Sequence, residues 1–311
     1  MTDAEFDLLV LGDCNPDLIL SAPGLAPAFG QVETLVDTAE LTIGGSGAIM
    51  ACAAARLGLR TAIVGVVGDD LFGRYMVDRL AERAVDTSGL IVDPRVRTGL
   101  TVILAREGDR GILTFPGSIA ALAAGAVDPV LLRRARHVHV SSYYLQIALT
   151  PGLGALFAAV RRAGSTTSVD PNWDPSEAWD SGLPAMLGEV DILLPNAAEA
   201  QCIAGARDSR QAAEALSAAG PLVVVKLGAE GAVAARPDGE VLWAGPASDV
   251  EPVDTVGAGD TFDAGLLAGL LSGEPLDQAL ALACACGALS TRAAGGTTAQ
   301  PTIEEARAAR V

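Results

Sequence analysis

The sequence predicts an α/β protein built on a central, mostly parallel sheet with helices on both faces. Short apolar runs of strand length alternate with longer helical patterns, as βαβ units do. Two stretches rich in β-type residues interrupt that alternation and carry no convincing helix. Of the 311 residues, 50% are hydrophobic and only 19% charged, so there is material for a large buried core.

In chain order, the strand candidates are Leu8 to Leu11, Ala62 to Val67, His137 to Ser141, Thr167 to Val169, Ile192 to Leu194 and Leu222 to Val225. Most are near-continuous apolar runs, the pattern of strands covered on both faces. Helix candidates are Ala48 to Leu57, Leu71 to Arg83, Leu153 to Ala163, Arg210 to Ala219, Thr261 to Leu271 and Leu276 to Ala293. The interrupting stretches are Asp17 to Leu41 and Arg97 to Phe115, punctuated by Gly and Pro. Within the second, TVILAREGDRGILTF reads as a hairpin with EGDRG as its turn. Together they suggest a small sheet projecting from the main body, a lid or contact surface. No internal repeat or low-complexity linker is visible. Residues 1–311 are therefore read as one domain carrying a discontinuous β lid at residues 17–41 and 97–115.

Charge excludes some partners. With 38 acidic against 21 basic residues, a net −17, the chain lacks the clustered cations that a nucleic-acid or acidic membrane surface needs. A bound anion must be met locally, by backbone N–H groups at a helix start. MTDAEF runs straight into LLVLG without a cationic flank, and no apolar run approaches the roughly 18 residues of a membrane span, so a cytoplasmic location is expected. Five cysteines without a CxxC pair fit a reducing compartment. His137 and His139 alternate with Val138 and Val140 and have no acidic or Cys cluster beside them, which favours packing over metal binding.

The segment from Asp254 to Leu271, DTVGAGDTFDAGLLAGLL, carries the most chemistry. A Gly-rich turn opens into an amphipathic helix, so the N–H groups of Gly257, Ala258, Gly259 and Asp260 can converge into an anion hole. A carboxylate there makes sense if Asp260 takes a proton from an attacking hydroxyl. The plainer alternative is a capped helix start. Asn196 and Glu199 follow the apolar strand DILLP, at a strand end where open α/β sheets bind ligands. Glu199 is suited to orienting water on Mg²⁺, or the pair simply caps the next helix. Lys226, the one lysine of the chain, stands in KLGAEG, where it could pair with a phosphate or be a solvated strand-end residue; Gly228 and Gly231 permit close backbone approach. Asp13, Asn15 and Asp17 lie in GDCNPD after the first strand, at a sheet edge suited to binding hydroxyls. Tyr143 and Tyr144 follow HVHVSS and could stack on a sugar or base, or pack. VLGDCN lacks G-x-G-x-x-G, which argues against a nicotinamide enzyme.

DTVGAGDTFDAGLLAGLL resembles the C-terminal signature of the PfkB carbohydrate kinases, and GGSGAIMACAAARLG, from Gly44 to Gly58, followed by VGVVGDDLFGRYM, is similar to their N-terminal signature. Asp170-Pro-Asn172, Asn196-Ala-Ala-Glu199 and VVVKLGAEG resemble further family segments in the expected order, so the resemblance covers essentially the whole chain. It implies a ribokinase-like fold and an ATP-dependent kinase that phosphorylates a hydroxymethyl group of a sugar. A nucleoside kinase and a non-catalytic sugar or nucleotide sensor are the other readings. By the same resemblance Asp260 is the base and Gly257 to Gly259 the anion hole. Asn15, Asp17, Gly44, Gly45, Ser46, Tyr143 and Asn172 are placed on the acceptor. Asn196, Glu199, Lys226, Gly228 and Gly231 are placed on ATP and Mg²⁺. Asp254 with Arg292 to Gly296 is a candidate K⁺ site, and a homodimer through the lid is conceivable. Two departures stand out. Ile49 replaces a frequent Asn, which argues against ordinary ribose recognition, and Asp174 stands where members using keto-acid sugars have Arg.

Overall fold

The computed structural model describes residues 4–106, 109–247 and 250–310, with Asp109 described by its backbone alone. From the N-terminus, β1 (Phe6–Leu11) leads into β2 (Asn15–Ser21), β3 (Thr38–Gly44) and α1 (Ser46–Arg56). Next come β4 (Thr61–Gly68), α2 (Leu71–Glu82) and β5 (Asp86–Asp93), then β6 (Leu100–Arg106) and β7 (Asp109–Phe115). The alternation continues through α3 (Pro129–Arg133), β8 (Ala135–Val140), α4 (Thr150–Arg162), β9 (Thr166–Val169), α5 (Leu183–Met186) and β10 (Ile192–Leu193). The C-terminal part holds α6 (Ala197–Ala204), α7 (Ser209–Ser217), β11 (Leu222–Lys226), β12 (Ala232–Ala235) and β13 (Val241–Ala244). It closes with α8 (Ala258–Leu271), α9 (Leu276–Ser290) and α10 (Ile303–Ala308).

Nine strands form the main sheet in the order β13-β12-β11-β10-β9-β8-β1-β4-β5. All pairings are parallel except those of β11 with β12 and β12 with β13. The six strands and six helices anticipated from sequence are all present, some with shifted ends. Not anticipated were β5, β12 and β13. β12 is the run AVAA, whose small residues give no β-branched or aromatic signal beyond one Val. β5 lies at the sheet edge with mixed polar and apolar residues. The sheet's two faces bury separate cores. Leu8 and Val10 of β1 face α1, α2, α8, α9 and α10, while Leu9 and Leu11 face α3, α4, α5 and α7. His137 and His139 are buried within the sheet, share the Ser168 hydroxyl at 2.7 Å each, and are held neutral by burial, which drops each to about 3.

The position of β1 decides where a ligand can sit. The chain runs outward from β1 to β4 and β5 on one side, and from β8 to β9, β10 and β11 on the other. The reversal opens a crevice at the C-terminal ends of β1 and β8. From that crevice β2 departs into a second, four-stranded sheet of order β3-β2-β6-β7. The two interrupting stretches therefore pair with each other, β2 running parallel to β6 with Asp17 opposite Thr101. The β6–β7 hairpin is formed, but Asp109 to Gly111 of the expected EGDRG turn pair within β7, and Glu107 and Gly108 lie outside the described residues. On the face turned from the crevice, Leu41, Leu18, Val102 and Leu113 form one cross-strand row, with Leu41 and Leu113 exposed.

Candidate active site

Asp13, just past β1, closes the start of α1. Its Oδ2 accepts from Ser46 N at 3.1 Å and its Oδ1 from Gly47 N at 2.9 Å, so its carboxylate satisfies two orphan donors of the helix. Asp13 is thus a structural anchor, and Asp17 faces the crevice with a carboxyl free of helix duty. A Cβ on Gly44 would collide with the Asp17 carboxylate. Gly45 adopts φ 78°, and a Cβ there would stand 2.8 Å from Asn15 Oδ1. The diglycine is therefore needed first by the protein's own side chains. Asn15 donates from Nδ2 to Thr101 Oγ1 at 3.3 Å, yet its buried Oδ1 has no partner. Burial, reinforced by the charge of Asp13, pushes Asp17 up to about 7.

The Gly-rich turn meets this region directly. Gly257 takes φ 72° as the N-cap of α8, and the helix begins at Ala258 rather than at Thr261 as expected from sequence. Ala258, Gly259 and Asp260 thereby form its first turn, with N–H groups that have no intrahelical acceptor. Ile49 of α1 packs against Gly257 and Gly296, where Cβ atoms would stand 2.8 and 2.5 Å from its side chain. The Ile that replaces a frequent Asn is thus a buried wedge, 3% exposed, between the two glycine segments. Asp260 is half-buried on the first turn of α8. Burial raises its pKa well above the usual carboxylate range, and the neighbouring Asp170 carboxylate adds to the rise while Lys226 opposes it.

Lys226 has partners that the sequence did not suggest. Its side chain is 11% exposed, and Nζ donates to Asp170 Oδ2 at 2.8 Å and to Asp263 Oδ2 at 3.1 Å. The solvated strand-end reading is wrong, and the ammonium expected for a phosphate is held by two carboxylates. A Cβ on Gly259 would lie 3.6 Å from Nζ, so the ion cluster sits directly behind the Gly-rich turn.

Asn196 and Glu199 form a full capping box on α6: Glu199 N donates to Asn196 Oδ1 at 3.0 Å and Asn196 N donates to Glu199 Oε2 at 2.9 Å. The capping alternative is therefore realised. Glu199 is also 4% exposed and pushed up to about 7 by burial and by Asp170, which is more than a cap requires. A bridge between Asn196 and Lys226 sets the box beside the ion cluster. Gly228, at φ 60°, borders open space, whereas Gly231, at φ 93°, is pressed against the backbone of Ala244 and Gly245.

Other expected residues lie elsewhere. Tyr143 is 1% exposed, donates from its hydroxyl to Ser181 O at 2.8 Å and packs edge-on against Tyr144, so the packing alternative holds and its ring does not reach the crevice. Asn172 stands at φ 57° and donates from Nδ2 to Ser142 Oγ at 3.0 Å, which fixes the loop after β9 against the loop after β8. Asp174 is buried and accepts from Ser176 N and Trp179 N, so it shapes its own loop. Asp254 does meet the C-terminal segment, but Oδ2 accepts from Gly295 N at 2.9 Å and Oδ1 from Val256 N at 3.0 Å. Arg110 of β7 ion-pairs with the same Oδ1 at 3.3 Å, so a cation already stands where K⁺ was expected.

Sequence reading passed over Asp170 and Asp263 as functional, although DPN and DTFD lie inside the quoted segments. A carboxylate inside an otherwise apolar helix, as Asp263 is in α8, was the available signal. Two cavities flank the centre. One of about 840 Å³ lies between the inner face of the small sheet, at Ile19 and Ile103, and the Pro252 to Thr255 loop. Another of about 530 Å³ runs between Gly245 to Ala247 and α9 at Gln278, Ala281 and Cys284.

The description "pfkB family carbohydrate kinase" matches residues 5–303. A fructokinase of Klebsiella pneumoniae is 37% identical over 276 residues, covering 83% of this chain and 88% of that one. A ribokinase of Haemophilus influenzae is 29% identical over 306 residues, covering 96% of each chain. Among solved structures, a putative ribokinase II from E. coli in complex with ATP and Mg²⁺ superposes with a TM-score of 0.85 at 26% identity, covering 97% of this chain and 98% of that one. With the Gly-rich turn, the acidic helix start and the diglycine gathered at one crevice, and relatives of this similarity along its whole length, the chain belongs to the pfkB family of carbohydrate kinases, phosphotransferases that act on an alcohol group.

Proposed function

We propose that the protein is an ATP-dependent kinase that transfers the γ-phosphoryl group to a hydroxymethyl group of a sugar. One observation carries this reading above the others: Ile49 of α1 packs against Gly257, the N-cap of α8, so the helix start that bears the candidate base Asp260 and the one that bears the acceptor glycines stand at one crevice. Asp260 takes the proton of the acceptor hydroxyl as its oxygen attacks the phosphorus, and the raised pKa of its carboxyl suits a base working near neutral pH. The N–H groups of Ala258 to Asp260 receive charge that builds on the transferring group.

Asp17 and Asn15 hold the acceptor's hydroxyls, the unpartnered Asn15 Oδ1 being an acceptor of hydrogen bonds that the folded chain leaves unmet. ATP lies along Gly228 and Gly231 toward the cavity between β13 and α9, where Gly231 abuts Gly245. Among the described residues no group of three or more His, Cys, Asp or Glu side chains could hold a metal ion. That donor set fits Mg²⁺ arriving with the nucleotide and keeping its waters, which Glu199 and Asn196 would orient. Mg²⁺ supplies charge neutralisation on the phosphates.

The small sheet, residues 17–41 and 97–115, is the lid of this site, and Arg110 joins it to the Asp254 loop. Its exposed row at Leu41 and Leu113 fits a homodimer contact. An ATP-consumption screen across sugars, sugar phosphates and nucleosides tests the reading. Turnover of a free sugar is expected; turnover of nucleosides alone, or tight binding of sugars without turnover, would overturn it.

A further inference from the structure

The lysine that sequence assigns to a phosphate is turned away from solvent and enclosed. Asp170 reaches it from the end of β9 and Asp263 from α8, one turn after Asp260. Asp170 Oδ2 and both oxygens of Asp263 converge on the one Nζ, at 2.8, 3.2 and 3.1 Å. Two carboxylates this close in a buried site disfavour each other's charge, so the pair keeps one proton and the cluster holds one ammonium and one negative charge. Asp263 is 1% exposed and burial raises it, whereas Asp170, against a burial effect that is larger still, is held below the usual range by Lys226.

We propose that Lys226 is a positioning residue for phosphoryl transfer: clamped by Asp170 and Asp263 directly behind Gly259, it acts through charge balance on Asp260 and not by touching the nucleotide. This rests on the reading of Asp260 as the base. The geometry behind it is the 3.6 Å approach of Nζ to a Cβ position on Gly259, together with the placement of Asp263 and Asp260 on one helix. The groups facing Asp260 come from every neighbouring element: Asp170 after β9, Lys226 at the end of β11, Asp13 after β1, the Ser46 hydroxyl on α1 and Asp263 on α8. Glu199 of α6 faces Lys226 from the other side. Lys226 is the one cation among these groups. Without it the shared proton still holds the Asp170–Asp263 pair at one negative charge, and that charge then stands uncompensated beside the base.

The test uses the purified full chain with ATP, Mg²⁺ and the acceptor found by the screen. Lys226→Met should move the acid limb of the kcat profile upward by about one pH unit, a roughly tenfold loss of rate below the limb, with KM for ATP within about threefold of wild type. Lys226→Met/Asp170→Asn leaves Asp263 as a lone neutral carboxyl, so it should return the limb and keep wild-type KM for ATP. An unmoved limb in a folded Lys226→Met protein overturns the proposal. So does a large rise of KM for ATP in either variant, which would mean direct phosphate contact. If the single variant does not fold, the double variant decides by its KM for ATP. Wild type and Asp260→Asn run alongside: a silent Asp260→Asn keeps the base assignment standing whatever Lys226→Met does.

Discussion

The two halves of the crevice are built on opposite principles. At the phosphate half, the charged side chains are paired within the chain: Asn196 and Glu199 cap each other, and Lys226 is shared by two carboxylates. At the acceptor half, Asn15 Oδ1 is buried without a partner and Asp17 is buried with no cation among the groups that shift it. A finished half presents a fixed electrostatic surface to a ligand that every kinase shares. An unfinished half is completed by the acceptor, and unsatisfied groups reject whatever cannot complete them.

The largest expected effect breaks the phosphate half. Asp260→Asn should lower kcat by about 10²- to 10⁴-fold while leaving ATP affinity near wild type, measured by steady-state kinetics and calorimetry. Substantial residual turnover would remove Asp260 as the base. Next comes the acceptor half: Asp17→Ala should raise KM for the acceptor about ten- to a hundredfold, since hydrogen bonds to a charged group contribute roughly 1.5–3 kcal/mol, with ATP little affected. Equal losses for both ligands would indicate misfolding and erase the contrast between the halves.

Smaller effects sharpen it. Glu199→Gln should raise the Mg²⁺ concentration needed for half-maximal rate by several-fold, and a variant indifferent to Mg²⁺ would leave Glu199 as a cap alone. Asp17 provides a pH signature. Its folded pKa of about 7 stands above the ordinary 3.8, so the folded protein holds that proton more tightly than the unfolded chain. The associated stability is fully present below about pH 4 and is lost as pH rises through 7. The unliganded protein should melt lower at pH 8 than at pH 5, and Asp17→Asn should flatten that difference, by about 2–4 °C for each kcal/mol recovered. Identical melting curves for the two proteins across that range would show that Asp17 is not the buried charge. Least in size, hydrogen exchange in residues 17–41 and 97–115 should slow when acceptor is bound; protection confined to the crevice would make the small sheet a structural appendage.

Much of this was legible in the residues. Buried parallel strands announce themselves as apolar runs, so β1, β4, β8 and β11 were readable, and the DTVGAGD turn with its helix required only local chemistry: glycines before an apolar period. The glycine at 257 and the acid at 260 are fixed by neighbours a few positions away. β12 and β13 were not readable because β12 is a run of small residues and β13 only four residues long, and both are stabilised by antiparallel pairing, β12 to β11 and β13 to β12, with partners the local sequence does not name. The same holds for side-chain roles. Lys226 was expected to meet a phosphate or solvent and instead meets two carboxylates, since Asp170 is 56 residues away and Asp263 is 37. Tyr143 follows a strand end, yet whether its ring turns to the crevice or to the core depends on Ser181 and Tyr144. Ile49 looked like a lost hydrogen bond and is a wedge against Gly257 and Gly296. By itself, then, the sequence determined the layers, the order of the motifs and the place of an acid on the Gly-rich helix start, because backbone period and turn chemistry act over a few residues. Which charges neutralise one another, and which polar atoms are left for a substrate, was decided only by tertiary structure, because burial and charge pairing depend on groups brought together from distant parts of the chain.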